Sequence, residues 1–327
     1  MSTFSFRQQV VFAFLLFVLL LMLVPRAGYD GDVHYWIEWA SYIFEHGLGN
    51  VYQLESNNYN PLYHHILWVY DQMMGSMEKV QYYIRFLKGF TLLFDFAGAF
   101  WAASLVPERE RRFGLALLLL FNIGYLYNTL LWIQVDSIYT FLAFGAVVLA
   151  VRRHVASSAA FFVLAMAAKT QAIIFLPPLL LLWGPQWWHR PWGMVRAGLV
   201  AVGTATLVLA PFIWWSWESY LPRIISLNLN AAEMYPKVSM FAYNMWFLLM
   251  PAGQPQATSD KLVVAGLTYR NWGMLLFFVS SAIALCSVCW CSSRSALSKW
   301  RGSSATPPPK FPPHRSPRPR SRSSWPR

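Results

Sequence analysis

Asp30, Asp32 and His34 stand together just past a nearly pure Val, Leu and Phe run at 10–24, which Pro25-Arg26 ends. Trp36, Trp39 and Tyr42-Ile43 follow at helical spacing. A carboxylate among aromatic rings costs desolvation unless it has a task, so Asp32 is the first candidate for proton transfer. Three further clusters carry chemistry. Asn58-Tyr59-Asn60-Pro61-Leu62-Tyr63-His64-His65 reads as a loop entering a helix at Pro61, and it contributes His64. Leu131-Trp132-Ile133-Gln134-Val135-Asp136-Ser137 interrupts two apolar runs; its Asp136 also suits the N-terminal end of the next helix. Lys169-Thr170-Gln171, ahead of Pro177-Pro178, sits between apolar stretches. A Lys there is expensive and functional by default, with snorkelling to the interface as the plainer reading.

Metal binding has little to build on. His64 and His65 lack a third ligand nearby, and Cys286, Cys289 and Cys291 have no second ligand pair at a zinc-like spacing. No metal site is expected, although Asp30 and Asp32 leave a divalent cation open beside a metal-free route.

The elements that must position these residues are apolar. The chain has 327 residues, 57% hydrophobic and 12% charged, where soluble domains carry about 25% charged residues. An integral, multi-pass, all-α membrane protein is expected, in the plasma or inner membrane of a bacterium or the endoplasmic reticulum of a eukaryote. Eight spans are placed at 10–25, 86–106, 113–131, 138–151, 155–168, 171–184, 197–217 and 272–290. The first resembles a secretory signal but has no small-x-small site after it, so an uncleaved helix is expected. Arg109, Arg111 and Arg112, then Arg152 and Arg153, then Arg190 and Arg196 fall on alternate loops, which the positive-inside rule makes cytoplasmic. Asp32, the Trp132–Asp136 turn, Lys169 and the 218–270 segment then share the extracytoplasmic face. The Trp36, Trp39 and Tyr42-Ile43 periodicity predicts an amphipathic helix lying on the membrane there.

From Arg294 onward there are nine Lys or Arg and no acid, so the net charge of +12 falls to +3 for the rest. A basic folded surface is missing, which excludes nucleic acid as a partner. The Ser/Pro/Arg tail at 292–327 is expected to be disordered. Its abrupt onset suggests a truncated or frame-shifted end to the 1–291 membrane domain.

Taken together, the clusters resemble the GT-C class of polytopic glycosyltransferases. The branch they resemble most contains the second mannosyltransferase of glycosylphosphatidylinositol-anchor synthesis (PIG-V type) and its bacterial relatives. The matching pieces are Asp32 seven residues before Trp39-Ala40, Asn60-Pro61-Leu62, Trp132-x-Gln134-x-Asp136-Ser137, Lys169-x-Gln171, and Asn244-Met245-Trp246 after Tyr235-Pro236. Ile133 stands where the family usually has Gly, and Asn60 where Pro is common. The resemblance implies transfer of a hexose, mannose first, from a polyprenyl-phosphate donor to a lipid, glycan or protein acceptor at the extracytoplasmic membrane face. A phosphate leaving group needs positive charge rather than the second carboxyl of a glycosidase, so Asp32 as base and Lys169 as phosphate clamp form a sufficient catalytic set. Asp30, His34, Trp36, Trp39, His64, Trp132, Gln134, Asp136, Gln171, Asn244 and Trp246 are expected to line the substrate site. The competing class is a transporter or flippase for a lipid-linked sugar. Such proteins show internal repeats and polar breaks near the midplane; no repeat is visible here, and the polar residues gather toward one face.

Overall fold

The computed structural model describes residues 4–23, 32–233, 236–239 and 245–283. Asp30, Tyr235, Asn244, the three cysteines and the tail expected to be disordered lie outside the described residues. The chain divides into two compact units, Met1–Pro236 and Lys237–Arg327, and the boundary expected at 291 lies outside the described residues.

The described residues of the first unit are mostly helical. Ser5 opens α1 (Phe6–Met22) through a capping box with Gln8, each side chain meeting the other's backbone N–H. α2 (Val33–His46) ends at Gly47, whose φ of 82° lets the chain turn into a 3₁₀ stretch at Leu48–Gln53. Pro61 occupies the first turn of α3 (Pro61–Met74), where its missing N–H costs nothing. α4 (Met77–Tyr82) is a short link to α5 (Lys88–Ser104) and α6 (Arg109–Leu120). After α6 come a single turn, α7 (Ile123–Leu126), and a π-helical turn at Tyr127–Trp132. Next are the antiparallel pair α8 (Asp136–Val151) and α9 (Val155–Ala168), then α10 (Leu176–His189), α11 (Pro191–Trp214) and α12 (Leu221–Leu229).

Among the described residues two stretches, Ile84–Ser104 and Pro191–Trp214, are long and apolar enough to cross a membrane. Arg109–Leu120 and Ile123–Trp132 reach that length only as a pair bent by 49°. α1, α8 and α9 have 17, 16 and 14 residues, short of the ~20 of a simple crossing. The eight expected stretches are thus largely helical, but most give helices below span length, and 272–290 runs past the described residues.

The main core packs α2 and α3 against α8, α9 and the C-terminal end of α11 through Trp36, Trp39, Tyr52, Tyr63, Leu67, Ile138, Ala165 and Phe212. Trp36 and Trp39 are fully buried. This corrects the expectation that α2 lies on the membrane: its apolar stripe is amphipathic as expected, but protein covers it. The α8–α9 approach depends on Gly145, where a Cβ would stand 2.6 Å from the Phe161 ring and 2.9 Å from Trp101.

The second unit holds α13 (Met245–Leu249), α14 (Gln254–Ala257) and a hairpin of β1 (Val263–Val264) and β2 (Leu267–Thr268), in antiparallel register Val263 to Thr268. Ala265 and Gly266 at positive φ make its turn, and 269–283 is helical. Arg270 Nε donates to Asp260 Oδ2 at 2.7 Å across the base of the hairpin. The described residues are therefore mostly helical.

Candidate active site

Asp32 occupies the N-cap position of α2 but makes no capping bond. Its carboxylate turns across the chain instead. Oδ2 accepts Trp132 Nε1–H at 3.0 Å and Gln134 Nε2–H as well. Oδ1 has no hydrogen-bond partner among the described residues. Burial raises the Asp32 pKa above the ordinary carboxylate value; the Trp132 bond, His34 and Lys169 pull it down, and Asp136 pushes it up. Asp32 is thus a base of increased strength with one free oxygen.

Trp132 and Gln134 reach Asp32 because the backbone between them is unusual. The π-helical turn ends at Ile133, which is buried with φ 55° and ψ 44°. A β-branched residue in the left-handed region is an outlier that costs on the order of 1–3 kcal/mol. The chain then closes with Gln134 N–H donating to the Asn128 carbonyl at 3.1 Å. The buried Gln134 amide is fully oriented: its Nε2 serves Asp32 and its Oε1 accepts Tyr59 Oη–H at 3.0 Å.

Lys169 lies where α9 stops and a 3₁₀ turn, Thr170–Phe175, begins. Its φ of −155° and ψ of 129° swing the side chain away from the helix, and Nζ forms an ion pair with Asp136 Oδ1. The side chains are 23% and 37% exposed, so the pair is neither sealed in the core nor out in open solvent. Tyr139 presents its ring 5.7 Å from the ammonium. Asp136, in the first turn of α8, therefore holds the lysine as well as complementing the helix dipole. Because Asp32 senses the charges of both Lys169 and Asp136, residues from four separated segments converge on one place. α8 starts beside this place and α9 ends there, whereas Arg152 and Arg153 close the opposite end of the pair, about 24 Å away at 1.5 Å per residue.

Other expected site residues are placed differently. Trp36 and Trp39 stand one layer behind, with Trp36 edge-on to Tyr59 at 5.0 Å and to Tyr63 at 4.8 Å, so they support the wall rather than form it. Trp36 Nε1 and Tyr63 Oη are buried with no hydrogen-bond partner among the described residues. His64 is fully buried among Trp39, Tyr52 and Phe212. Burial pushes its pKa down to about 3, which makes it a neutral core residue instead of a substrate ligand. His65 turns elsewhere, its Nε2 lying 2.9 Å from the Val208 carbonyl. His34 is exposed against Tyr35, and Gln171 is exposed. Trp246 belongs to the second unit, where it packs edge-on to Tyr269.

Tyr59, Thr170 and Asn228 were not anticipated in site roles. Asn60 Nδ2 reaches Met166 O at 2.7 Å, Asn228 Oδ1 at 3.1 Å and Thr170 Oγ1 at 3.2 Å; Asn228 Nδ2 returns to Asn60 Oδ1 at 3.1 Å. Tyr59 was legible from its place in the Asn58–His65 cluster. Asn228 had no signal beyond being a polar residue in a Leu-rich helix.

No three His, Cys, Asp or Glu side chains converge on a metal-sized point among the described residues. Among the described residues Asp136 is matched by Lys169 and Asp32 by two N–H groups, whereas Asp30, the other carboxylate of the pair left open to a divalent cation, lies outside them. No protein-family model matches the chain, and no curated protein or solved structure does either.

Proposed function

We propose that this protein is a multi-pass membrane glycosyltransferase of GT-C type. In this reading it moves a hexose from a polyprenyl-phosphate donor to a lipid, glycan or protein hydroxyl at the extracytoplasmic face. The observation that carries the reading is the meeting of a strengthened, half-free carboxylate, Asp32, with a held cation, Lys169, at the helix ends opposite Arg152 and Arg153. Positive-inside orientation puts that arginine end in the cytoplasm and the site outside it. The short helices α8 and α9 then count as spans that lean on their neighbours and open into the site.

In the reaction, the acceptor oxygen attacks C1 of the sugar from the face opposite the phosphate. The new C1–O bond forms as the C1–O bond to phosphate breaks, and the anomeric centre inverts. The acceptor proton passes to Asp32 Oδ1, the oxygen that Trp132 and Gln134 leave free. Negative charge collects on the departing lipid phosphate, and Lys169 neutralises it. Asp136 keeps the lysine in place before donor arrives, so little reorganisation is needed at the moment of transfer. Trp132, partly exposed beside Asp32, offers a ring face to the sugar.

The test uses purified full-length chain in lipid with radiolabelled polyprenyl-phosphate mannose and a panel of lipid, glycan and peptide acceptors. Label appearing in a new product, and vanishing in Asp32→Asn, supports the reading. Donor carried across a sealed vesicle without cleavage would assign it to transport instead.

A further inference from the structure

Asp95 lies midway along the Ile84–Ser104 span, is buried, and takes no part in the chemistry above. A carboxyl at that depth is expensive and calls for a reason. Its Oδ2 accepts the Thr129 hydroxyl at 2.5 Å. Thr129 is itself buried, within the π-helical turn that ends at Trp132. Ser137, buried in the first turn of α8, lies beside the same carboxyl, and α5 packs against both the π turn and α8. Oδ1 has no partner among the described residues and borders a small cavity of about 10 Å³ that Tyr125 and Leu126 also line. Asp95 thus holds the chain at the start of the segment from Thr129 to Ser137, and α5 packs against the elements at both ends of that segment. Within that segment lie the left-handed Ile133 and the two N–H donors to Asp32.

A strained backbone persists only where its surroundings over-determine it, and a π turn next to a left-handed residue has few internal bonds with which to do so. The external hold comes from α5. We propose that Asp95 is a positioning residue: through Thr129 and beside Ser137 it fixes the Trp132–Gln134 turn, and so keeps both donors on Asp32. The catalytic consequence rests on the glycosyltransferase reading, whereas the positioning does not.

The experiment therefore has one arm that needs no activity. Carbodiimide coupling of an amine to Asp32, followed by peptide mass spectrometry across a pH series, reports the protonation midpoint of that carboxyl in the purified full chain. The groups facing Asp32 are Trp132, Gln134, His34, Lys169 and Asp136, with the Tyr63 hydroxyl also close enough to sense its charge. All are retained in the variants. Thr129→Val removes only the hydroxyl, and Asp95→Leu only the acceptor. Each should loosen the Trp132 bond that lowers the Asp32 pKa, moving the midpoint up by about half a pH unit or more. Thr129→Ser and Asp95→Asn keep a donor and an acceptor and should stay with the wild type, which a general packing role would not require. An unmoved midpoint in folded Thr129→Val overturns the proposal, as does an equal shift in Thr129→Ser. In the activity arm, Thr129→Val should lower kcat more than KM. If the wild type transfers no sugar while the midpoint still follows this pattern, the functional reading fails and the positioning stands.

Discussion

Two polar clusters share one end of the α8–α9 pair, and they are built from neighbouring residues. Tyr59 turns to Gln134 and the Asp32 site, whereas Asn60 turns to Thr170 and Asn228. Lys169 pairs with Asp136, whereas Thr170 donates to Asn228 at 2.7 Å. The first cluster is ionisable, partly exposed and left with capacity to spare on Asp32 Oδ1. The second is neutral and closed, each of its amides bonding within the cluster or to a helix carbonyl. A closed neutral network fixes where helices stop, because unmet bonds would be costly there. An open charged one is poorly explained by stability, since partly buried ion pairs add little to it. On the proposed reading, chemistry falls to the first and architecture to the second.

The sharpest way to break that assignment is Asp32→Asn. It keeps shape and a hydrogen-bond acceptor but removes the base, so transfer should fall by about 10²–10⁴ with an unchanged thermal midpoint. Near wild-type turnover together with an inactive Asp30→Asn would swap the two roles; activity in both would end the mechanism.

Lys169 comes next. A phosphate clamp acts on charge that develops as the carrier leaves, so Lys169→Gln should lower kcat by about 10-fold to 10²-fold and alter KM less. Lys169→Arg should recover part of the rate, a planar guanidinium being a poor copy of a compact ammonium. The pH profile gives a second readout. Asp32 must be ionised to work, so kcat/KM falls as pH drops through its raised pKa. Lys169 holds that pKa down, hence the acid limb should move to higher pH in Lys169→Gln. Equal kcat and an unmoved limb in folded Lys169→Gln would make the lysine a snorkelling residue.

The closed cluster predicts the opposite signature. Asn228→Leu strips a donor from Asn60 Oδ1 and an acceptor from Thr170, leaving buried polar atoms unmet at about 1–3 kcal/mol. The thermal midpoint should drop while turnover per folded molecule stays within about twofold. A loss of kcat with full stability would move Asn228 into the site and erase the distinction between the clusters.

How far the sequence foretold this varies with the kind of signal. Apolar runs located most helices, since length and hydropathy are local properties. The meeting of Asp32, Gln134, Asp136 and Lys169 was legible because orientation rules sort polar residues by face before any fold is known. The inward turn of Trp36 and Trp39 was not, because an amphipathic stripe looks the same whether lipid or protein covers it. The left-handed φ of Ile133 was not legible, because a β-branched residue gives no local signal for that conformation. Two helices among the described residues reach span length where eight apolar runs were placed, for a similar cause. A helix of 14 residues such as α9 shows an apolar face in sequence, but not what surrounds its ends.

The smallest predicted effect comes from α3, where His64 and Asp71 stand seven residues apart on one buried face, neither with a side-chain hydrogen bond among the described residues. Their burial has opposite consequences. The His64 pKa is pushed down to about 3, so between the ordinary imidazole value near 6.5 and about 3 the unfolded chain binds the proton and the folded one does not. Stability from His64 is complete above about pH 6.5 and is lost as pH falls. Burial pushes the Asp71 pKa up to about 8, so the folded state holds its proton from about pH 4 to 8 while the unfolded state has released it. Stability from Asp71 is complete below about pH 4 and is lost as pH rises. Each slope is at most about 1.4 kcal/mol per pH unit, and between pH 4 and 6.5 they oppose one another, which flattens the wild-type profile. Thermal midpoints in detergent from pH 4 to 8 separate them. His64→Leu should become more stable toward acid relative to its own value at pH 7, and Asp71→Asn less so. Matching slopes in the two variants would mean that neither group is held in the protonation state its burial imposes.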